Sequence, residues 1–391
     1  MKTKNTLESL KLDGKIVFVR ADLNVPIKDG KITDETRIQA SMQTIEYLLM
    51  KNCTVLLTSH LGRPKGGFEE KYSLKPVATR IQEILHEPVV YVKDCIGDEV
   101  KKTLEKFKGK ASVLVLENLR FYPQEEKNDP EFAKELAKHA DFYINDAFGT
   151  AHRAHASTHG IVAHLPSAPG FLLKKEIDYL GSVFQNPKRP LITVLGGSKV
   201  SSKLSVLKAL LEASDKVLVG GGMAFTFFKA QGLEIGKSLC EDEFLEEARN
   251  LMKQYGEKLV LPVDARITDK VSEGQTVEVV NCSNIPADML GVDIGPATEK
   301  LYYSHLKSAQ TVLWNGPMGI FEIAEFANGT KSICEYMAEL KNCITIVGGG
   351  DSVAAVTQMG YESKMSHIST GGGASLEFLE GKTLPGVAAL M

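Results

Sequence analysis

Short, densely apolar runs alternate along the chain with segments whose apolar positions recur every three or four residues. The first half carries such runs at 15–20, 54–59, 89–92, 112–117 and 141–145. Between the first two, Ile38, Met42, Ile45 and Leu49 mark one face of an amphipathic helix. Val77, Ile81 and Ile84 mark another after the second run. The same grammar resumes at 191–195, 216–219, 258–261, 311–314, 344–347 and 367–370. Strand–helix alternation with nearly continuous apolar strands predicts parallel sheets covered on both faces. Residues 172–184 read as a helix between the two series. The prolines of Gln185-Asn-Pro-Lys-Arg-Pro190 stop it and suggest a domain boundary there.

Size agrees with two domains, since 391 residues exceed what one core usually supports. Lys and Arg total 46 against 49 Asp and Glu, for a net charge of −3. No global basic field is present to hold nucleic acid or an anionic membrane. The six cysteines form no Cys-x-x-Cys pair and sit mostly in apolar segments, which points to reduced thiols in a reducing compartment. The first ten residues lack an apolar core of signal-peptide length, and no window reaches a membrane span. A cytoplasmic protein is the expectation.

In open α/β sheets, ligands bind beyond the carboxyl ends of the strands. In the first half those ends deliver cations. Arg20-Ala-Asp22-Leu-Asn24 follows the first strand, and Arg37 opens the next helix. His60-Leu-Gly-Arg63, Asn118-Leu-Arg120 and His152-Arg153-Ala-His155 follow later strands. The chain has nine arginines, and five stand in these motifs. Guanidinium offers planar, two-pronged contact to carboxylate or phosphate. One such arginine is as well explained by a surface ion pair; five at strand exits are not.

In the second half the strand ends deliver glycine. Gly196-Gly197-Ser198-Lys199, Gly220-Gly221-Gly222, Asn315-Gly316-Pro317, Gly348-Gly349-Gly350-Asp351-Ser352 and Gly371-Gly372-Gly373 each follow a strand. Glycine lets backbone approach a phosphate, and a helix start adds free N–H groups. Any one run reads equally well as a tight turn or close packing; the repetition favours phosphate. Lys199 and Lys203, four apart at a helix start, would add charge. Asp351 suits Mg²⁺, which needs few protein ligands when a nucleotide supplies the rest.

Competing readings have less behind them. Gly232-Leu-Glu-Ile-Gly236-Lys237-Ser238 is one residue short of a Walker A loop. No Gly-x-Gly-x-x-Gly opens a helix after the first strand, so an NAD-dependent oxidoreductase is disfavoured. His152, His155 and His159 have metal-like spacing, but no Cys or carboxylate joins them. A two-lobed solute-binding protein would use neither Lys199 nor Asp351. A cationic half and a phosphate-cradling half together point to phosphoryl transfer.

At these residues the sequence resembles the phosphoglycerate kinases. The likeness runs from Val19-Arg20-Ala-Asp22-Leu-Asn24-Val-Pro26 through Ser59-His60-Leu-Gly-Arg63-Pro64, Glu117-Asn118-Leu-Arg120-Phe121 and Asn145-Asp146-Ala-Phe-Gly-Thr-Ala-His152-Arg153-Ala-His155. It continues in Gly220-Gly-Gly-Met-Ala-Phe225 and ends at Gly371-Gly372-Gly373-Ala374, covering essentially the whole chain. It implies two Rossmann-like three-layer α/β/α domains with parallel sheets, joined by a hinge helix. Residues 1–175 would bind the triose phosphate, with a tail of about 379–391 returning to them, and 176–378 would bind nucleotide. The implied reaction moves the acyl phosphate of 1,3-bisphosphoglycerate to MgADP, reversibly and in line after domain closure, giving 3-phosphoglycerate and MgATP. By the same resemblance, Asp22, Asn24, Arg37, His60, Arg63, Arg120 and Arg153 hold the triose. Lys203, Gly221, Gly222, Gly291, Asn315, Glu322, Gly348, Gly349, Gly350, Asp351 and Ser352 hold the nucleotide, with Asp351 on Mg²⁺. Arg37, Lys199, Gly371, Gly372 and Gly373 would stabilise the phosphoryl group in flight. The stretch Asp288-Met-Leu-Gly291 lacks the aromatic residue expected before Met289. A monomer with no nucleic-acid or membrane partner completes the expectation.

Overall fold

All six residues of the first strand, β1 (Ile16–Ala21), are buried, as a strand covered on both faces requires. The computed structural model describes residues 3–391. After β1 come a small hairpin of β2 (Ile27–Lys28) and β3 (Lys31–Ile32), α1 (Thr36–Met50), β4 (Thr54–Thr58) and α2 (Lys75–Ile84). There follow β5 (Val89–Val92), α3 (Gly97–Phe107), β6 (Ser112–Leu116), α4 (Pro130–Ala137), β7 (Phe142–Asp146), β8 (Ser167–Pro169) and α5 (Phe171–Gln185). The strands outside the hairpin pair as one parallel sheet in the order β5-β6-β4-β1-β7-β8. The faces marked in the sequence are core faces: Ile38, Met42, Ile45, Leu49, Val77 and Ile81 are buried in one cluster, with Ile84 packed against it.

The second series opens with β9 (Leu191–Leu195), α6 (Leu204–Ala213), β10 (Lys216–Val219), α7 (Met223–Ala230), α8 (Leu245–Tyr255) and β11 (Leu259–Val260). Next come β12 (Asp264–Thr268), β13 (Glu278–Asn281), β14 (Leu290–Ile294), α9 (Pro296–Leu306), β15 (Thr311–Asn315) and α10 (Asn328–Glu339). The chain closes with β16 (Ile344–Gly348), α11 (Gly350–Gln358), β17 (His367–Ile368), α12 (Gly373–Leu379) and α13 (Pro385–Ala388). Its main sheet is parallel, in the order β11-β10-β9-β15-β16-β17. Counted by appearance that is 3-2-1-4-5-6, the Rossmann order, whose crevice opens where the order reverses, between β9 and β15. A separate antiparallel sheet, β13-β12-β14, was not foreseen from the sequence.

By internal packing the chain divides into two compact units, Met1–Asp178 with Thr383–Met391, and Tyr179–Lys382. The division falls inside α5. The returning segment is fixed to the first unit by backbone and side-chain bonds. Gly386 N donates to Ala151 O at 2.8 Å, and Lys4 N donates to Leu390 O at 2.9 Å.

Candidate active site

In the first unit the parallel registry sets the carboxyl ends of β6, β4, β1 and β7 side by side, so their following loops share one edge. Arg20, near the end of β1, is completely buried. Its Nε donates to Ser157 Oγ at 2.9 Å, and its Nη2 lies 3.1 Å from His60 Nδ1. Asp22 accepts from Arg37 Nη1 through both oxygens, at 3.0 and 2.9 Å. The loop after β4 is clamped from two sides. Asn24 Oδ1 accepts from Gly62 N at 2.8 Å, while Arg120 Nη1 donates to Gly62 O at 2.9 Å. Gly62 has φ +60°, and a Cβ there would sit 2.3 Å from the Tyr72 ring, so only glycine fits.

The electrostatics of this edge are strongly cationic. Burial, and then Arg20, Arg120 and Arg37, hold His60 well below the usual histidine range. Burial and the cations Arg20, Arg120 and Arg153 push His155 down to about 3. Arg120 itself is lowered, chiefly by burial. Both imidazoles are therefore neutral at physiological pH, and the positive charge resides on guanidinium. Arginines outside the motifs are used differently. Arg80 is paired with Glu35 and Glu83, Arg189 with Asp215, Arg266 with Glu299, and Arg249 donates to Ala230 O. Of the motif arginines, Arg37 is paired with Asp22, and the others have weaker anionic partners or none close by. Arg120 meets Glu126 at 3.2 Å, Arg153 donates to His152 Nε2 at 3.1 Å, and Arg63 is exposed. Such an edge is suited to a small polyanion.

The second unit holds a cavity of about 270 Å³ beside the β9/β15 reversal. It brings together Gly221, Gly222, Gly291, Glu322 and Asp351 with Phe225, Leu239 and Met318. The predicted residues Lys203, Asn315, Gly348, Gly349, Gly350 and Ser352 stand next to it. Lys203 Nζ donates to Asn315 Oδ1, and Asn315 Nδ2 donates to Gly348 O at 2.8 Å. Burial lowers the Lys203 ammonium pKa, and the Asp351 carboxylate opposes that shift. Asp351 is exposed in the first turn of α11. Ser352 is fully buried, and its Oγ accepts from Gly316 N at 2.5 Å, a bracing position.

Some expectations need correction. Lys199 and Lys203 do not share a helix start: α6 begins at Leu204, Lys203 is the residue before it, and Lys199 lies in the irregular segment between β9 and the turn at 201–203. Lys199, Gly371, Gly372 and Gly373, expected at the phosphoryl group rather than at the nucleotide, lie outside the cavity lining, and that expectation is unchanged. The helix after the last glycine run, α12, has seven residues. Several glycines serve packing. A Cβ on Gly196 would lie 2.0 Å from Pro317 O, on Gly220 2.4 Å from Met318 Sδ, and on Gly316 2.1 Å from Gly196 O. The turns after β9, β10 and β15 touch backbone to backbone. By contrast, a Cβ on Gly350, Gly372 or Gly373 would meet nothing within 4 Å.

Sequence reasoning also missed residues. Phe225 supplies an aromatic wall: a Cβ on Gly291 would lie 1.9 Å from its ring, so Gly291 makes room for the phenyl group. Gly291 and the motif containing Phe225 were both legible; their packing against each other was not. Asp293, at the cavity wall, accepts from Gly329 N at 2.6 Å, and burial pushes its carboxyl up to about 8. Glu125 and Ser157 lie behind the cationic edge of the first unit.

A sequence model of the family described as phosphoglycerate kinase matches residues 7–382. The chain belongs to the phosphoglycerate kinase family. A phosphoglycerate kinase of Dictyoglomus turgidum is 52% identical over 392 residues, spanning 100% of this chain and 98% of that protein. A chloroplastic phosphoglycerate kinase of Chlamydomonas reinhardtii is 55% identical over 397 residues, spanning 100% of this chain and 86% of that protein. The structure of phosphoglycerate kinase from Coxiella burnetii superposes with a TM-score of 0.92 at 40% identity, covering 99% of this chain and 98% of that one.

Proposed function

We propose that this member of the phosphoglycerate kinase family transfers the acyl phosphate of 1,3-bisphosphoglycerate to MgADP, reversibly, as a kinase of glycolysis. The observation that carries the reading is the cationic edge of the first unit. There Arg20, Arg37, Arg120 and Arg153 stand around neutral His60 and His155, and of these arginines only Arg37 and Arg120 have a carboxylate in a close ion pair. A phosphorylated carboxylic acid supplies the missing negative charge. On this reading Asp22, Asn24, Arg37, His60, Arg63, Arg120 and Arg153 receive the triose. ADP or ATP occupies the second unit, its base against Phe225 and Gly291, its ribose toward Glu322, its phosphates toward Lys203, Gly350 and Asp351. Arg37, Lys199 and the segment Gly371-Gly372-Gly373 serve the phosphoryl group between donor and acceptor. Turnover of ATP with 3-phosphoglycerate, coupled to reduction of the acyl phosphate formed, tests the proposal; no turnover with both substrates saturating overturns it.

Mg²⁺ fits Asp351. No cluster of three His, Cys, Asp or Glu suited to a metal exists among the described residues. Mg²⁺ is commonly held by one or two carboxylates plus substrate phosphates, and Asp351 offers one at the cavity wall. When bound, the ion neutralises phosphate charge. Asp351→Ala is expected to weaken MgADP about tenfold or more and metal-free ADP far less. Titration calorimetry with and without Mg²⁺ checks this, and equal losses would remove Asp351 from the metal.

The reading includes a cytoplasmic monomer. The six cysteines are free, with Cys53, Cys95, Cys282 and Cys334 buried, which suits a reducing compartment. Among the described residues no helix is long and apolar enough to cross a membrane.

A further inference from the structure

Glu125 is a completely buried carboxylate that the reading above leaves without a task. Both its oxygens accept hydrogen bonds: Oε2 from Ser157 N at 3.0 Å, Oε1 from Ser157 Oγ at 2.5 Å. Ser157 Oγ itself accepts from Arg20 Nε at 2.9 Å, so its one proton is directed to Glu125. Arg20 is equally buried. Its Nη1 donates to Ala21 O, and its Nη2 lies 3.1 Å from His60 Nδ1. A guanidinium has donors and no acceptor. His60 Nδ1 must therefore be the bare nitrogen of the ring, and the proton of a neutral His60 sits on Nε2. A proton on Nδ1 would set two N–H groups against each other.

We propose that Glu125 is a positioning residue, holding Arg20 through Ser157 so that Arg20 fixes His60 as a neutral Nε2–H donor toward an anionic substrate. The identity of that anion, a triose phosphate, rests on the function proposed above; the wiring does not. Glu125 is faced by Arg20, Arg120 and His155, whose Nδ1 lies 3.8 Å from Oε1. His60 is faced by Arg20, Arg120, Arg37 and His155. Every cation around the ring disfavours imidazolium, as does its burial. Glu125 is the anion that lets Arg20 stay buried among those cations. His60 then contributes direction through a hydrogen bond whose donor does not titrate near neutral pH, while the arginines contribute charge.

The test is nitrogen NMR on histidine-labelled protein, with His60 assigned by loss of its signals in His60→Gln, alongside steady-state kinetics. In the wild type, His60 is expected to keep Nδ1 unprotonated and Nε2 protonated across the neutral range. Glu125→Gln removes the charge and keeps the shape. It should mix the His60 tautomers and raise the KM for 3-phosphoglycerate about tenfold, leaving the KM for ATP little changed. Ser157→Ala, which cuts the relay but keeps the carboxylate, should move both readouts the same way, and it decides the matter if Glu125→Gln does not fold. A wild-type His60 protonated on Nδ1 overturns the wiring. So does a folded variant with unchanged tautomer and unchanged KM. An enzyme inactive on 3-phosphoglycerate refutes the triose reading instead, and the NMR result still decides the wiring.

Discussion

Arg37→Ala is expected to lower kcat by about 10²–10³-fold, the usual cost of removing one preorganised donor from developing charge. Arg37 stands in the first turn of α1, where Asp22 grips only Nη1. Nε and Nη2 remain for a ligand, on a side chain 35% exposed. A guanidinium held on one prong and open on the others is preorganised without being neutralised at the working edge. Phosphoryl transfer spreads charge over three equatorial oxygens, so such a donor gains most in the transition state. Nucleotide affinity, by contrast, should change little, because on the proposed reading the nucleotide belongs to the second unit. Arg37→Lys should fall between the two, keeping charge while losing the fork. Steady-state kinetics with a separate measurement of ADP binding distinguishes the roles. A variant with normal kcat and only a raised triose KM would make Arg37 a ground-state binder. Thermal unfolding of the same variants guards against a trivial cause, since Asp22 is left nearly buried and unpaired.

Much of this fold was legible because its parallel strands are buried on both faces and write themselves as apolar runs. The strands β5, β9 and β10 coincide with the sequence reading, β4 and β6 differ by a residue at one end, and β1 is shifted by one residue. What escaped lacks that signal. In the antiparallel sheet, β13 is largely exposed and opens on Glu278, while Arg266 and Asp293 interrupt the apolar pattern of β12 and β14. β8 is three residues long and ends on Pro169, a residue tolerated at a sheet edge and seldom read as strand. The site was legible where chemistry follows a strand directly, as at Asp22, His60 and Asp351. Glu125 and Phe225 depend on partners 32 and 66 residues away, Ser157 and Gly291, and no local pattern announces those pairings.

The glycine runs carry two physical meanings, which substitution should separate. Gly196→Ala places a methyl carbon 2.0 Å from Pro317 O and 2.7 Å from Gly316 O. Both are backbone atoms in a turn packed against another strand end, so relief requires moving β9 against β15. Overpacking of this kind typically costs about 1–3 kcal/mol, and the fixed backbone puts this case at ~3 kcal/mol or above. For a unit of this size that corresponds to a fall in Tm of roughly 6–12 °C. Gly373→Ala is the opposite case. Gly373 is the exposed first residue of α12, and its new Cβ would touch nothing. Alanine there restricts the unfolded chain, so Tm should hold or rise slightly. If Gly373 is glycine so that the phosphoryl group can approach the backbone, kcat should nevertheless fall while stability does not. Thermal unfolding and turnover measured on both variants decide it. A fully active Gly373→Ala would remove the last glycine run from the transition state, leaving Arg37 and Lys199 to carry that charge.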